Sequence, residues 1–385
     1  MKKRTIAVLT TSRADYGIMS ELIKKLQSDK SLDIKVIVSG SHLSKRHGSS
    51  VKEIIKDGIK IYKRVDIGIS SDTPKDIGKV MGRATELFTK TIEQAKPDII
   101  LLLGDRYEVL SGAIAALLLR IPIAHLHGGE ATFGAIDEAM RHAITKMSHI
   151  HFASCEKYKK RIIQLGENPK QVFNTGSLGV ENAENIKTLS KRELEKSLNI
   201  KFNKKNLMVT FHPVTLEGDE KKQVIELLNA LSKLKETSVF FTMPNADGGN
   251  KAIALEIENF VKRNNNAYAF GSLGKLKYFS MLKNVDGVIG NSSSGIIEAP
   301  SFKIPTVNIG SRQAGRLQAK SIINALPIEK NISKAIQKIY DPEFTALIKR
   351  SKNPYSKQNT AKTVIKILKT YPLDNIIIKK FFDLK

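Results

Sequence analysis

Short apolar runs alternate with amphipathic helical patterns along the whole chain, and this alternation constrains the fold more than any other feature. In the first half, the strand-like runs are Thr5–Leu9, Ile34–Ser39, Ile99–Leu103, Ile123–His127 and His149–Ala153. Helical patterns follow them at Gly17–Gln27, Ser49–Asp57, Val109–Leu119, Ile136–Lys146 and Glu156–Leu165. Strands joined by crossover helices are typical of a parallel, doubly wound sheet.

The second half repeats this architecture without repeating its sequence. Its strand-like runs are Leu207–Phe211, Val239–Thr242, Tyr268–Phe270, Val285–Ile289 and Thr306–Ile309. The polar segment Leu178–Asn206 reads as a link. We therefore expect an α/β fold of two doubly wound, Rossmann-like domains facing a cleft, namely residues 1–176, completed by a C-terminal helix at 362–385, and residues 177–361. Ligands of such folds bind at the carboxyl ends of the strands.

Composition narrows the classes of partner. The 385 residues carry 63 Lys and Arg against 38 Asp and Glu, a formal charge of +25, yet Trp is absent and aromatic residues make up 6%. Because the lysines are scattered and no base-stacking platform is visible, an anionic small substrate is expected and nucleic acid is not. The single cysteine excludes an intramolecular disulfide. With no signal-peptide pattern and no apolar run near about 18 residues, we expect a cytoplasmic protein without a membrane partner.

A hydroxyl-rich turn, Asn291-Ser292-Ser293-Ser294-Gly295, separates an apolar run from a helical pattern. Free N–H groups at a helix N-terminus, with serine hydroxyls beside them, bind anions. Glu298 follows within about one turn and suits a sugar diol, as an acid near a nucleotide ribose does. The turn therefore predicts a nucleotide-linked ligand, and an ordinary serine-capped helix is the alternative.

Three arginines stand in segments that follow strands. Arg13 lies between the first strand and the first helix, where the G-x-G-x-x-G spacing of a dinucleotide site is absent. Arg312 and Arg316 follow the last strand-like run of the second half. Cations in these positions can reach an anion and neutralise a departing diphosphate.

Carboxyl groups follow neighbouring strands of the first half. Asp105 comes directly after a very apolar run, Glu130 follows the next run, and Asp137 begins the helix after it. A cluster of this kind can turn one of its members into a general base. Asp137 can also complement the helix dipole, and Glu138 can pair with Arg141 at i,i+3.

Three histidines stand near predicted strand ends. His125 and His127 alternate in register, so both are expected to point to one face. With Glu130 or Asp137 as a third ligand they are compatible with zinc, but the adjacent glycines favour close approach of a ligand, and no metal is predicted. His212 ends the first strand of the second domain and is predicted to be an acid/base group, with a structural histidine as the alternative.

The motifs SRADYG, LLLGDRYE, HLHGGE, IDEAMRHAITKMSH, FNTGSLG, FHPVTLE, GNSSSGIIE, NIGSRQAGR and NPYSKQN span nearly the whole chain. In order and spacing they resemble the UDP-N-acetylglucosamine 2-epimerase family, most closely its hydrolysing bacterial branch of sialic acid synthesis. The resemblance implies a glycosyltransferase-B-like fold, a homodimer, no cofactor, and conversion of a UDP-2-acetamido sugar. For the hydrolysing branch the products are N-acetylmannosamine and UDP.

Carried over by motif, the resemblance implies one set of UDP ligands, namely Arg13, Ser292, Ser293, Glu298 and Arg312, with Arg106 near the sugar or the phosphates. It implies a catalytic set of Asp105, Asp137 and His212. Many relatives carry a glutamate where this chain has His127. The acid/base role of that position therefore falls to His127 or to Glu130.

Inversion at C2 of the sugar requires removal of a proton from one face and delivery of a proton to the other, so at least two acid/base groups are needed. Loss of UDP would give a 2-acetamidoglucal, and water would then add across its double bond. The alternatives are a hydrolysing 2-epimerase of a UDP-diacetamido-trideoxy sugar in the legionaminic acid pathway, a non-hydrolysing epimerase and a sugar transferase.

Overall fold

The computed structural model describes residues 3–44, 49–71, 73–133, 135–214, 219–243 and 250–384. The chain forms two compact units. The first comprises Met1–Glu130, Asp137–Glu181 and Lys357–Lys385, and the second comprises Ala131–Ile136 and Asn182–Ser356. None of the described helices is both long enough and apolar enough to cross a membrane.

The first unit is built on a seven-stranded sheet with parallel pairing and the order β3-β2-β1-β4-β5-β6-β7. Its strands are β1 (Arg4–Thr10), β2 (Leu32–Ser39), β3 (Ile61–Val65), β4 (Ile99–Leu103), β5 (Ile123–Leu126), β6 (Ile150–Ala153) and β7 (Val172–Asn174). Its helices are α1 (Arg13–Ser28), α2 (Val51–Lys56), α3 (Pro74–Ala95), α4 (Tyr107–Leu118), α5 (Asp137–Met147) and α6 (Glu156–Gln164).

Both faces of this sheet are covered, which explains why its central strands are continuous apolar runs. In β4, Ile99, Leu101 and Leu103 join the core on one face. Ile100 and Leu102 join the core on the other face, as the alternation of side chains along a strand requires.

The second unit is built on a six-stranded sheet, also parallel, with the order β10-β9-β8-β11-β12-β13. Helix α7 (Leu178–Asn185) precedes it in the chain. The strands are β8 (Lys205–Thr210), β9 (Thr237–Thr242), β10 (Ala267–Phe270), β11 (Gly287–Gly290), β12 (Thr306–Ile309) and β13 (Ile322–Ala325). The helices are α8 (Lys191–Leu198), α9 (Glu220–Ser232), α10 (Asn250–Arg263), α11 (Gly274–Asn284), α12 (Ser293–Ile297), α13 (Glu329–Ile339) and α14 (Pro342–Arg350).

Helix α15 (Thr360–Thr370) returns to the first unit and completes its core. Val364 and Leu368 of this helix are fully buried among residues of α1 and the sheet. Arg4 donates from Nη1 to the carbonyl oxygen of Leu368, at 2.8 Å. After α15, Lys379 reaches the buried carboxylate of Glu167, with 2.8 Å between Nζ and Oε2. The last part of the chain is therefore bound to residues of the first unit that come before the second unit in the sequence.

The predicted fold class, an α/β protein with two Rossmann-like sheets, is confirmed, and the predicted start of the first helix is wrong. The segment predicted as a link, Leu178–Asn206, includes the division between the two units, and it also holds α7 and α8, the latter beginning with a reciprocal capping box of Ser190 and Glu193. Helix α1 begins at Arg13 instead of Gly17, because Ser12 and Asp15 form the same device there.

Candidate functional site

In the first unit, the predicted acid/base residues follow adjacent strands. Asp105 follows β4, and His127 and Glu130 follow β5. Since β4 and β5 are paired in parallel, these residues lie at the same edge of the sheet. Asp137 is the first residue of α5, where its carboxylate complements the helix dipole.

Arg141 of α5 joins this group, although sequence reasoning considered it only as a partner of Glu138. Its guanidinium pairs with the carboxylate of Asp105, and Nη1 donates to the Glu138 carboxylate at 2.7 Å and to the Glu130 carbonyl oxygen at 3.1 Å. Burial alone would lower the pKa of Arg141, but the charges of Asp105, Glu130 and Glu138 raise it above its usual value. The predicted Glu138–Arg141 pair is confirmed, and Arg141 holds Asp105 in place.

His125 and His127 differ in their partners and in their backbone conformation. His125 belongs to β5 and is fully buried, with Nε2 2.8 Å from the carbonyl oxygen of Gly104. Burial lowers the pKa of His125 to about 3, so the ring is neutral. His127 lies beyond the end of β5 with φ +64°, and this left-handed backbone breaks the alternation of the strand. Among the described residues, no cluster of three or more His, Cys, Asp or Glu side chains could hold a metal ion.

His127 and Glu130 instead contact each other. Nδ1 of His127 lies 3.1 Å from Oε1 of Glu130. The same carboxylate oxygen accepts a hydrogen bond from Oγ of Ser154, at 2.7 Å, just after β6. The two residues between which the sequence left the acid/base role open thus form one hydrogen-bonded pair.

The two arginines of the first unit differ in their surroundings. Arg13 is the first residue of α1 and is exposed. Arg106 is the N-cap residue of α4, and its Nε donates to the fully buried carboxylate of Glu108 at 3.1 Å. Asp105 and Arg106 therefore have different partners, as the divergence of adjacent side chains predicts.

A buried hydrogen-bond network around Asp15, which no sequence motif indicated, lies next to Arg13. The carboxylate of Asp15 accepts hydrogen bonds from the hydroxyls of Thr10, Thr11 and Ser12 and from two backbone N–H groups. Burial would raise the pKa of Asp15, but the hydrogen bond and the charge of nearby His42, with those hydroxyls, lower it. These hydrogen bonds to the buried carboxylate of Asp15 therefore fix the turn that carries Arg13.

In the second unit, the serine turn follows β11. Ser292 caps α12, its Oγ accepting from the N–H of Ser294 at 3.4 Å, and Ser293 is the first helical residue. Oγ of Ser294 accepts a hydrogen bond from the Tyr278 hydroxyl at 2.7 Å. Gly295 is buried, and a Cβ there would lie 2.9 Å from a methyl group of Thr306. A helix begins at the serine turn as predicted.

Glu298 ends α12 and is 9% exposed. Burial first, and then the negative charge of Glu298, raise the pKa of Tyr278 above its usual value, so the tyrosine keeps its proton. Tyr278 thus lies beside both the serine turn and Glu298. No motif pointed to it, because it sits in the amphipathic pattern of α11, far from the turn in sequence.

The side chain of Asn291 is bound to the backbone of His212. Its Oδ1 accepts from the His212 N–H at 2.7 Å, and its Nδ2 donates to the His212 carbonyl oxygen at 2.8 Å. The backbone oxygen of Asn291 accepts from Nη1 of Arg312 at 3.2 Å and from Nε2 of Gln313 at 2.8 Å. Asn291 therefore links the loop after β8 to the loop after β12.

Gly290 makes this junction possible. Its φ is +132°, and a Cβ at this position would lie 1.9 Å from the carbonyl oxygen of Thr210 at the end of β8. Only glycine allows the end of β11 to come so close to β8. His212 and Asn291 are brought together as a result.

His212 is 5% exposed. Burial, and then the positive charge of Arg312, lower the pKa of His212 to about 3, so its imidazole is neutral near pH 7. Arg316 donates from Nη2 to the Thr132 hydroxyl at 3.3 Å. Residues 215–217 of the FHPVTLE motif lie outside the described residues.

The chain is similar to known proteins in sequence and in fold. The family model described as UDP-N-acetylglucosamine 2-epimerase matches residues 24–369. The chain is 42% identical to GDP/UDP-N,N'-diacetylbacillosamine 2-epimerase (hydrolyzing) of Campylobacter jejuni, over the full length of both proteins. It is 40% identical to polysialic acid biosynthesis protein P7 of Escherichia coli, over 100% of this chain and 98% of that protein. Its fold is similar to UDP-GlcNAc 2-epimerase from Neisseria meningitidis bound to UDP-GlcNAc, with TM-score 0.81 and 20% identity over 94% of this chain and 99% of that one.

Proposed function

This chain belongs to the UDP-N-acetylglucosamine 2-epimerase family, and on that basis we propose that it is a hydrolysing 2-epimerase. It converts a UDP-linked 2-acetamido sugar and water into the free 2-epimeric sugar and UDP. The observation that carries this proposal is the 42% identity to the hydrolysing C. jejuni enzyme over the full length of both chains.

We propose UDP-N,N'-diacetylbacillosamine as the first candidate substrate, because the C. jejuni relative is a hydrolysing 2-epimerase named for that sugar. The second candidate is UDP-N-acetylglucosamine, with N-acetylmannosamine as the product for sialic acid synthesis. It is supported by the 40% identity to the E. coli protein of polysialic acid biosynthesis. Both substrates would undergo the same chemistry at C1 and C2.

The second unit supplies the groups proposed to bind UDP. The turn from Asn291 to Gly295 presents hydroxyls and helix N–H groups to the diphosphate, and Glu298 accepts from the ribose. Arg312 and Arg316, with Arg13 and Arg106 of the first unit, are proposed to neutralise the charge that develops on the leaving diphosphate. Since the amide of Asn291 is bound to the His212 backbone, we assign it to holding that histidine and not to contacting phosphate.

The acid/base groups are proposed to come from Asp105, Asp137, His212 and the His127–Glu130 pair. Removal of the C2 proton forms the C1=C2 double bond, and the C1–O bond breaks with its electron pair leaving on UDP. Water then adds a hydroxyl to C1 while a proton reaches C2 from the opposite face.

Proton and phosphorus NMR of the purified protein with each UDP sugar tests the proposal. We expect free 2-epimeric sugar and UDP, faster with the diacetamido substrate, and a deuteron at C2 when the reaction is run in D2O. A UDP-linked epimer as the final product would indicate a non-hydrolysing enzyme. A product without deuterium at C2 would exclude the elimination route. Asp105→Asn, which leaves the serine turn unchanged, is expected to keep UDP binding and lose turnover.

A further inference from the structure

The geometry of the turn after β5 points to a division of labour within the His127–Glu130 pair: we propose that Nε2 of His127 is the general base that takes the C2 proton, and that Glu130 is a positioning residue. This inference rests on the proposed function and adds an assignment that the motifs leave open.

The contact with Glu130 selects one tautomer of His127. Because Nδ1 faces a carboxylate oxygen at 3.1 Å, it carries the hydrogen and donates it. The lone pair of the neutral ring is then on Nε2. Among the described residues Nε2 has no hydrogen-bond partner, although the residue is only 7% exposed. A buried polar atom without a partner is costly in a fold, and a reacting substrate atom accounts for it.

The carboxylate of Glu130 is itself engaged by two side chains. Its Oε1 receives both the His127 ring and the Ser154 hydroxyl, the latter at 2.7 Å. Arg141 binds its backbone carbonyl oxygen at 3.1 Å. A carboxylate engaged in this way can orient the imidazole and stabilise the imidazolium, which is the part that the acid plays beside a catalytic histidine.

The backbone is shaped to hold the ring there. His127 has a left-handed φ of +64°, which costs a non-glycine residue free energy and is retained where the surroundings impose it. The next two residues are glycines. A Cβ on Gly128 would lie 2.9 Å from Nδ1 of His125, and a Cβ on Gly129 would lie 2.7 Å from the carbonyl oxygen of Tyr158. The turn is therefore packed tightly on both sides and fixes the direction of the histidine.

In the proposed step, the lone pair of Nε2 forms a bond to the C2 proton. The C–H electron pair becomes the C1=C2 double bond, and UDP leaves with the electron pair of the C1–O bond. The charge gained by the imidazole is balanced by Glu130. The titratable groups near His127 and Glu130 include Arg141 of α5, which binds the Glu130 carbonyl oxygen, and Cys155 at the start of α6.

His127→Asn is the informative variant. Asparagine tolerates a left-handed backbone and can place Nδ2 where Nδ1 of the histidine donates, but it has no counterpart of Nε2. We expect an unchanged melting temperature, UDP affinity within about twofold and a kcat lower by about 10²–10⁴-fold, as for loss of a general base. Turnover near the wild-type rate in this variant would overturn the proposal.

Glu130→Gln separates positioning from catalysis. Its kcat is expected to fall by up to about 10⁴-fold, because an amide no longer enforces the tautomer of His127, with the pH profile altered because the carboxylate no longer balances the imidazolium. The double variant should be no slower than His127→Asn alone, because the two residues act through one nitrogen. A further loss in the double variant, or a larger loss in Glu130→Gln than in His127→Asn, would make Glu130 the base instead.

Two further controls keep the outcome readable. If wild-type protein releases no sugar from either substrate, the proposed function fails and not the assignment within the pair. If His127→Asn does not fold, the pattern of the wild-type ring nitrogens in ¹⁵N NMR decides. We expect the hydrogen of neutral His127 on Nδ1, and a hydrogen on Nε2 instead would refute the tautomer on which the assignment rests.

Discussion

Replacing Asn291 with leucine tests whether its amide holds the backbone of His212. Leucine has a similar volume but no polar atom, so the N–H and the C=O of His212 would each lose the bond that they now make at 2.7 and 2.8 Å. A buried polar group that loses its partner costs about 1–3 kcal/mol, and two such groups predict a loss of about 2–6 kcal/mol. For a unit of this size each kcal/mol lowers the melting temperature by about 2–4 °C, so the calorimetric transition of the second unit should fall by at least about 4 °C.

Two companion variants make this prediction specific. Asn291→Asp keeps an acceptor for the N–H but places a buried carboxylate oxygen against the C=O of His212, so its cost should be at least as large as that for leucine. Ser293→Ala removes a partly exposed hydroxyl of the same turn and should change stability by less than about 0.5 kcal/mol, while it weakens UDP binding. Asn291→Leu should also lower kcat through the displaced His212. A leucine variant that melts within about 1 °C of wild type would show that the amide of Asn291 does not stabilise the backbone of His212.

Three further predictions concern other parts of the two units. Arg141→Met removes the buried positive charge that pairs with the nearby carboxylates. The free energy of unfolding measured by calorimetry should fall by about 3–5 kcal/mol, and full stability of this variant would contradict the role given to Arg141. Gly290→Ala should prevent folding of the second unit, since its Cβ would lie 1.9 Å from the Thr210 carbonyl oxygen, whereas Gly82→Ala, with nothing within 4 Å, is the control and should stabilise by about 0.5–1 kcal/mol. Burial would raise the pKa of Glu167, but hydrogen bonds from a histidine and two lysines lower it to about 2 from 4.5. Its stabilisation is therefore present above about pH 4.5 and is lost as the pH falls toward about 2, and the difference in melting temperature between wild type and Glu167→Gln should shrink over that interval.

The strands were predictable wherever they are buried on both faces. The predicted bounds of β4 agree with the structure residue for residue, because this buried parallel strand is an unbroken apolar run. The bounds of β12 agree as well, although its sequence includes Thr306 and Asn308. Strand β3 was missed because it lies at the edge of the sheet and its three middle residues are exposed. Its sequence, Ile61–Val65, therefore lacks an apolar run.

The positions of the candidate site residues could be predicted, but apart from the Glu138–Arg141 pair their partners could not. That Asp105 and Glu130 share an edge of the sheet follows from parallel pairing of β4 and β5. The left-handed backbone at His127 depends on packing against distant groups, and no local pattern shows it. The same holds for Arg141, whose amphipathic helix gives no sign that its guanidinium is buried among three acidic residues. The spacing of apolar residues along a helix indicates which face is buried, but it does not indicate that a charged side chain such as Arg141 is buried as well.

The return of α15 to the first unit has a consequence for the order in which the protein folds. During synthesis, the strands of the first unit emerge well before Val364 and Leu368, which occupy the interior of its core. The second unit is nearly continuous in sequence and has all its strands once Ala325 has emerged. We expect the second unit to fold first during synthesis. Until α15 has been made, the core of the first unit lacks Val364 and Leu368 and stays partly exposed. A nascent chain stopped near residue 356 should be protease-sensitive in residues 1–130 and resistant in 182–356.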